Sequence, residues 1–256
     1  MRVLLAEMTW KEVVNMLPTV GAAIIPAGSL EQHGPHLSLQ HDTASALYVS
    51  RAAAERLYPR VIVTPPINIG FSPFHMGFPG SLTLRHETLI ELSLDIHASL
   101  KRHGIQKVVT VNGHGGNEKP LHIAARAARD RLNLTTAFLS HWDLLTPDVA
   151  ILVEDKRLPG HAADYETSMA LAAFPEGTRP EEIDRKYLER LEEQFAPYQR
   201  FLLRNFTEYS KTGVHTGDPT LATREKGLKF IETVVDGLAA FLEAFMEYGD
   251  DIPSSV

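Results

Sequence analysis

The sequence predicts an α/β fold in which a largely parallel sheet carries helices on both faces. Three observations support this prediction: short apolar runs bounded by Gly, Pro and polar residues, amphipathic stretches of helical period, and the alternation of the two along the chain. Strands that alternate with helices are connected by right-handed crossovers and lie parallel. The sequence shows no internal break, so we expect a single domain over residues 1–256.

Each predicted element follows from its local pattern. The apolar segment 21–27 is typical of a buried strand, and further strands are predicted at 60–67, 106–112 and 134–140. Helical spacing of apolar residues predicts helices at 42–57, 86–103, 117–132, 164–174, 181–203 and 222–247. Asp42 is the expected N-cap of the first of these helices. The stretch 68–84, rich in Gly, Pro and aromatic residues, is expected to be a long ordered loop.

Composition argues against several classes of function. The chain has 25 Lys+Arg against 32 Asp+Glu and a net charge of -7, so nothing favours nucleic acid or an anionic membrane as a partner. It has no cysteine, so a bound metal has to be held by His, Asp and Glu. The apolar run at the N-terminus is too short for a signal sequence, and no segment has the length of a membrane span. We therefore expect a cytoplasmic protein.

Two polar, Gly-rich turns follow predicted strands. Glu31, His33 and Asp42 come after the strand at 21–27, and His114 comes after the strand at 106–112. In α/β sheets, ligands bind where the carboxyl ends of strands meet helix N-termini. Residues two apart in extended backbone point the same way, so Glu31 and His33 are expected to converge, with Asp42 and His114 reaching the same point. This set offers two oxygen and two nitrogen ligands to a divalent ion.

A third segment supplies groups for proton transfer. Asp42 is suited to bridging two divalent ions, and ion pairs about 3.5 to 4 Å apart are a recurrent device for activating water. His161, Asp164 and Glu166 lie at the start of a predicted helix after a Pro-Gly pair. The two acids alone are ordinary first-turn residues that complement the helix dipole. Beside the two turns, however, they offer the general acid or base and the further carboxylate that a metal hydrolase needs.

These segments together resemble the creatininase family of metal-dependent amidohydrolases. The resemblance rests on the motifs GSLEQHGPHLSLQHD at 28–42, VNGHGGN at 111–117 and HAADYETS at 161–168, with support from 76–89 and 217–227. It implies a three-layer α/β/α subunit that acts on a small-molecule substrate with one or two divalent metal ions, Zn, Mn or Fe. It also implies a homo-oligomer, plausibly a hexamer.

The resemblance assigns roles to individual residues. Four of them match the family's metal ligands: Glu31, His33, Asp42 and His114. Asp42 has the bridging place, and His161 matches the catalytic histidine that contacts the substrate. Glu166 matches the acid of the third motif, as a further metal ligand or a proton-transfer group. His36 belongs to the first motif and is expected to support the ligands by hydrogen bonding.

Two departures from the family pattern bear on the substrate. Creatinine-hydrolysing members carry Tyr-Glu after the motif histidine, with that Glu on the second metal, where this chain has Gly115 and Gly116. They carry a tryptophan four residues before the catalytic histidine, where this chain has Arg157. Both departures argue against creatinine itself. The Gly-Gly form is similar to the wider family, whose members open formamides, deformylate formamidopyrimidines, trim a peptide C-terminus or hydrolyse a cyclic polyol ketone.

The predicted function is hydrolysis of a non-peptide or cyclic C–N bond by a metal-activated water. Hydrolysis of a cyclic polyol ketone and peptide trimming are alternatives within the family. A non-catalytic protein that holds a metal or anion at the Gly-rich turns, and an interaction protein, are alternatives from other classes. Five further residues are candidates to line the pocket, with a solvated surface as the alternative for each: His75, Arg85, His86, Lys156 and Arg157.

Overall fold

The computed structural model describes residues 1–153, 158–183, 203–208 and 210–249. Within these ranges the sheet has four parallel strands in the order β2-β1-β3-β4: β1 (Ala22–Ala27), β2 (Val61–Val63), β3 (Lys107–Asn112) and β4 (Thr135–Ser140). The helices of the same ranges are α1 (Trp10–Met16), α2 (His41–Arg56), α3 (His86–Arg102), α4 (Glu118–Leu132), α5 (Pro147–Ala150), α6 (Asp164–Ala173) and α7 (Arg224–Glu247).

Strand β1 divides the core into two apolar clusters. Its side chains alternate between the faces of the sheet, as the two-residue period of a strand requires. Ala22 and Ile24 pack with buried residues of α2, α6 and α7, whereas Ala23 and Ile25 pack with buried residues of α3 and α4. Helices therefore cover both faces, and the predicted three-layer α/β/α architecture with a parallel sheet is confirmed.

The register of the sheet brings three loops together. Ala27 of β1 pairs with Asn112 of β3, and Asn112 pairs with Ser140 of β4. The carboxyl ends of these strands therefore lie side by side at one edge of the sheet. The two Gly-rich turns open from this edge, next to the first turn of α2.

Some predicted boundaries were wrong. The strand predicted at 60–67 ends at Val63, because Pro65 and Pro66 have no N–H to donate to the sheet, and pairing resumes only at an isolated bridge between Ala27 and Ile67. Helix α2 begins at His41 with Gln40 at the N-cap. Asp42 thus lies inside the first turn and is not the cap.

Other differences concern whole helices. Helix α1 has a capping box between Thr9 and Glu12, a local signal that the apolar pattern did not reveal. Of the helix predicted at 181–203, residues 184–202 lie outside the described ranges, and Pro180–Glu182 form one turn of 3-10 helix. In the described part of the chain, no helix combines the length and the apolar character needed to cross a membrane.

Helices α6 and α7 pack through a glycine. A Cβ atom added to Gly227 would lie 1.9 Å from the carbonyl oxygen of Ser168, so only glycine allows this approach. Asp164, at the start of α6, accepts a hydrogen bond from Lys226 of α7 at 2.9 Å. These contacts set the position and rotation of α6, which carries Glu166.

Candidate metal centre

The loops at the carboxyl edge of the sheet pack backbone against backbone. A Cβ atom on Gly28 would lie 2.3 Å from the amide nitrogen of Thr43, so the turn after β1 sits directly on the first turn of α2. The Asn117 side chain donates to the Gly28 carbonyl at 2.9 Å and accepts from the Phe71 amide at 2.9 Å. This one amide therefore ties together the turn after β1, the turn after β3 and the long loop.

Asp42 lies at the centre of a buried cluster of imidazoles and carboxylates. One of its oxygens, Oδ1, is 2.9 Å from His33 Nε2, and the other, Oδ2, is 3.1 Å from His114 Nδ1. All three side chains are at most 5% exposed. The carboxylate thus presents one oxygen to each of two imidazoles.

Glu31 stands beside His114. Its Oε1 is 3.2 Å from His114 Nδ1 and 3.1 Å from His75 Nε2. Its Oε2 accepts a hydrogen bond from the Ser72 hydroxyl, which is also 2.6 Å from the Ser29 hydroxyl. Glu31, Asp42 and His114 therefore form one half of the cluster. The second oxygen of Glu31 is held by the Ser72 hydroxyl, and the second oxygen of Asp42 faces His33.

Glu166 stands on the side of His33. Its Oε2 is 3.8 Å from His33 Nε2 and accepts a hydrogen bond of 2.6 Å from the Ala162 amide. Ala162 is buried with φ +51°, a left-handed conformation that is costly for alanine and typical of functional turns. Asp164 faces the other way, toward Lys226 and the Ser168 hydroxyl. Of the two acids in this motif, only Glu166 belongs to the cluster.

His161 is the most accessible imidazole of the group, with 12% of its side chain exposed. Its backbone pairs with that of His215 through two hydrogen bonds of 2.9 and 3.0 Å. Its Nδ1 is 4.0 Å from Glu31 Oε1, and its ring centroid is 4.4 Å from that of His33. The Phe206 ring covers this side, with its centroid 4.7 Å from His161 and 4.1 Å from His75.

Two buried atoms of the cluster are available to a cation. His33 Nε2 and Asp42 Oδ2 are both shielded from water and make no aligned hydrogen bond within the described residues. Buried polar atoms without partners are costly, and divalent ions bound to these two atoms would satisfy them. His33 Nδ1 is 3.1 Å from the Glu31 carbonyl oxygen, a contact that places the other ring nitrogen toward the cluster. Oxygen and imidazole donors together suit Zn, Mn or Fe.

The metal-free cluster holds protons where a cation would bind. Burial lowers the pKa of His33, but the charges of Asp42, Glu166 and Glu31 outweigh it and raise this pKa to about 10. The pKa of His114 also lies well above its ordinary value, because Glu31 and Asp42 outweigh burial there. Burial is the main cause that raises the pKa of Glu166 to about 8. A metal ion has to displace these protons to bind.

The remaining candidates divide between the cluster and the surface. His36 Nε2 lies 2.9 Å from the hydroxyl of Thr167, the residue after Glu166 in α6, and its supporting role stays a prediction. Arg85 and His86 are exposed, which agrees with the alternative that they belong to a solvated surface and do not line the pocket. Lys156 and Arg157 lie outside the described residues.

His75, which the sequence offered as a candidate to line the pocket, lies in the cluster itself. It is 1% exposed and belongs to a group of three side chains, with Glu31 and His161, whose ligand atoms lie within 4.8 Å of one another. The sequence signal for a buried His75 is the composition of residues 72–76, Ser-Pro-Phe-His-Met, which are too apolar for an ordinary solvated loop.

Gly116 occupies the position at which the resemblance places a metal-binding glutamate in creatinine-hydrolysing members. A Cβ atom at this position would lie 2.3 Å from the Phe71 carbonyl oxygen and 2.5 Å from His114 Nε2. No side chain fits there in this backbone. The carboxylate that approaches His33 comes instead from Glu166, on another element.

Comparison with known proteins agrees with this geometry. The model of the creatininase family, described as creatinine amidohydrolase, matches residues 6–242. The mycofactocin precursor peptide peptidase of Mycolicibacterium smegmatis is 32% identical over 92% of this chain and 88% of its own length. The creatinine amidohydrolase of Pseudomonas putida is 29% identical over 93% of this chain and 95% of its own length.

Solved structures show the same fold. A mutant creatininase of the zinc–zinc type superposes with a TM-score of 0.81 at 27% identity, covering 96% of this chain and 99% of that one. A manganese form of creatininase gives a TM-score of 0.79 at 28% identity with the same coverage. The family model spans almost the whole chain, and the three motifs converge at one edge of the sheet. The chain therefore belongs to the creatininase family.

Proposed function

We propose that this protein is a metal-dependent amidohydrolase that cleaves a non-peptide or cyclic C–N bond. The observation that carries the proposal is the position of Asp42, with one carboxylate oxygen 2.9 Å from His33 and the other 3.1 Å from His114. This arrangement fits two divalent ions that share one carboxylate. The family membership supports the same reaction class.

The two halves of the cluster define two sets of ligands. Glu31, Asp42 and His114 would hold one ion; His33, Asp42 and Glu166 would hold the other. Divalent ions in such sites supply an activated water at neutral pH and polarise the carbonyl of the substrate. Zn, Mn and Fe suit the donor types, and one or two ions are bound per subunit.

His161 and Glu166 are the groups available for proton transfer. His161 is on the accessible side of the cluster, and burial, together with the charges of His33 and His75, keeps its pKa well below the ordinary value. It is therefore neutral at pH 7 and able to accept a proton or to orient the carbonyl. The Phe206 ring packs against the rings of His75 and His161 on that side.

Replacing His114 tests the proposal. His114→Ala removes the nitrogen nearest to Asp42 Oδ2 and is expected to lower the bound metal by one ion per subunit and hydrolysis by about 100-fold or more. His86→Ala is the matched control, because the His86 side chain is 58% exposed. Metal content by elemental analysis and turnover on a panel of formamides and lactams are the measurements. Normal turnover of His114→Ala with unchanged metal content would refute the proposal.

Peptide trimming is the second candidate, supported by the 32% identity to a peptide peptidase. Short peptides in the same panel distinguish the two, because a peptidase cleaves them and leaves small lactams intact. A cyclic polyol ketone in the panel covers the C–C alternative. We further propose a single domain, a cytoplasmic location and a homo-oligomer, for which light scattering after size-exclusion chromatography gives the subunit number.

A further inference from the structure

Gln32 lies between two ligand-competent residues and contacts both neighbouring histidines of the cluster. Its side-chain Nε2 is 3.0 Å from His75 Nδ1, 2.9 Å from His161 Nε2 and 3.2 Å from the Gly213 carbonyl oxygen. Its main-chain oxygen is 2.8 Å from His161 Nε2. Gln32 does not titrate and is buried, so its donors and acceptor impose fixed roles on its partners.

Two backbone groups determine the orientation of the Gln32 amide. Its Oε1 accepts from the Gly34 amide at 3.0 Å, which requires an oxygen at that end. Its Nε2 faces the Gly213 carbonyl, which requires a donor at the other end. In the flipped amide, the nitrogen would face the Gly34 N–H, donor against donor, and the oxygen would face the Gly213 carbonyl, acceptor against acceptor. Gly213 cannot be replaced by a residue with a side chain in this backbone, because a Cβ atom would lie 1.6 Å from Gln32 Oε1.

The orientation of this amide places the proton of His75. One hydrogen on Gln32 Nε2 goes to the Gly213 carbonyl, and the other is directed at His75 Nδ1, which therefore accepts. A neutral imidazole that accepts at Nδ1 carries its proton on Nε2. In His75, Nε2 is 3.1 Å from Glu31 Oε1. His75 therefore donates to the Glu31 carboxylate and is not itself a metal ligand.

The main chain of Gln32 places the proton of His161. An unprotonated Nε2 in His161 would put its lone pair against the Gln32 carbonyl oxygen at 2.8 Å, which is repulsive, whereas a protonated Nε2 donates to that oxygen. The Gln32 side-chain nitrogen is also 2.9 Å from the same His161 nitrogen, and we assign the His161 proton to the shorter contact of 2.8 Å with the carbonyl oxygen. The lone pair of His161 is therefore on Nδ1, the nitrogen that is 4.0 Å from Glu31 Oε1.

We propose that Gln32 is a positioning residue that sets the tautomers of His75 and His161, so that His75 donates to Glu31 and His161 presents an unprotonated Nδ1 to the cluster. The catalytic meaning of this arrangement rests on the proposed amidohydrolase function. Its structural content, which ring nitrogen of each histidine carries the proton, does not depend on turnover.

Nuclear magnetic resonance tests the proton positions directly. The full chain is labelled with 15N-histidine and studied metal-free and zinc-loaded, and long-range 1H–15N correlations report which ring nitrogen is protonated. Spectra of His75→Gln and His161→Gln assign the two sets of signals. We expect both rings to carry the proton on Nε2. A proton on Nδ1 of either ring, or His75 bound to zinc through Nε2, overturns the proposal.

Two variants test the role of the side chain. Gln32→Glu places a second carboxylate at His75 Nδ1, opposite Glu31 at Nε2, so we expect His75 to carry protons on both ring nitrogens. Gln32→Met removes the donor to Nδ1, so we expect the His75 Nδ1 signal to shift. Gln106→Glu is the control, because Gln106 is exposed at the opposite edge of the sheet. Unchanged His75 signals in a folded Gln32 variant overturn the proposal. If Gln32→Glu fails to fold, Gln32→Met and the unmodified protein carry the test.

Activity gives a second and separable readout. Both Gln32 variants are expected to lower kcat by about 10- to 100-fold, as loss of a partner that orients catalytic groups does, with KM changing less than about threefold. If the unmodified protein hydrolyses no amide, the proposed function fails, and the proton positions still decide the role of Gln32. If it does hydrolyse amides and the Gln32 variants keep their kcat, the positioning role fails alone.

Discussion

Glu166→Gln is expected to stabilise the metal-free protein and to weaken its response to metal. The Glu166 side chain is 7% exposed, and burial raises its pKa from 4.5 to about 8. Between these two values the folded chain holds a proton that the unfolded chain has released, so the free energy of unfolding falls as the pH rises. Between pH 4.5 and pH 7, this loss amounts to about 3 kcal/mol.

Glutamine has nearly the same shape and does not ionise, so the variant avoids this loss. At pH 7 the metal-free variant is expected to be more stable by about 3 kcal/mol, or about 6 °C in Tm for a chain of this length. The difference becomes small near pH 4.5, the unfolded-state pKa, and vanishes at lower pH, where the carboxyl group is protonated in both states. Zinc at a thousandfold excess over its Kd is expected to reverse the order, because the bound ion adds about 4.1 kcal/mol to the unmodified protein and the variant lacks one of its ligands.

Differential scanning calorimetry from pH 4.5 to 8, with and without zinc, measures both effects. Glu176→Gln serves as the control, since Glu176 is an exposed carboxylate just beyond the end of α6. The reasoning fails if the metal-free Glu166→Gln protein is less stable than the unmodified protein at pH 7. It also fails if zinc raises the Tm of both proteins equally, since Glu166 is then not a ligand.

Two further predictions follow from the packing and the charges. Gly227→Ala is expected to destabilise the protein by about 2 kcal/mol or more, because the new Cβ meets the Ser168 carbonyl at 1.9 Å. The control is Gly237→Ala, where Leu144 is 3.3 Å from the new Cβ and the free energy of unfolding is expected to change by no more than about 1 kcal/mol. Equal urea midpoints for the two variants would contradict this prediction. Zinc binding at pH 7 is expected to release protons, because the metal-free His33 has a pKa of about 10. The affinity for zinc should rise about tenfold per pH unit for each proton released. Binding heats that do not depend on the ionisation enthalpy of the buffer, measured by calorimetry, would contradict this proton release.

Much of the fold was readable from local pattern. The four strands and most helices correspond to apolar runs and helical stripes, because each element has to bury one face or one stripe in a shared core. The errors lie where a short-range feature overrides that pattern. Pro65 and Pro66 shorten β2, and the capping box of Thr9 and Glu12 stabilises a short helix with no buried residue.

The candidate site was only partly readable. The convergence of Glu31, His33 and Asp42 was predicted from their spacing and lies within 4.8 Å in the structure. The roles assigned to these residues stay predictions until metal is measured. His75 was expected only as a candidate to line the pocket; its contact with Glu31 was not predicted, because Glu31 is remote in sequence and the connecting loop has no periodic pattern.

The sequence by itself determined the order of the elements and the kinds of donor at the carboxyl edge of the sheet, because period, glycine and charge are local properties. Only the tertiary structure decided which acid of the third motif faces the cluster. Residues two apart in a helix point to different sides, so Asp164 and Glu166 cannot both reach His33. The packing of α6 on α7, through Gly227 and the Lys226 ion pair, turns Asp164 away and directs Glu166 to the site.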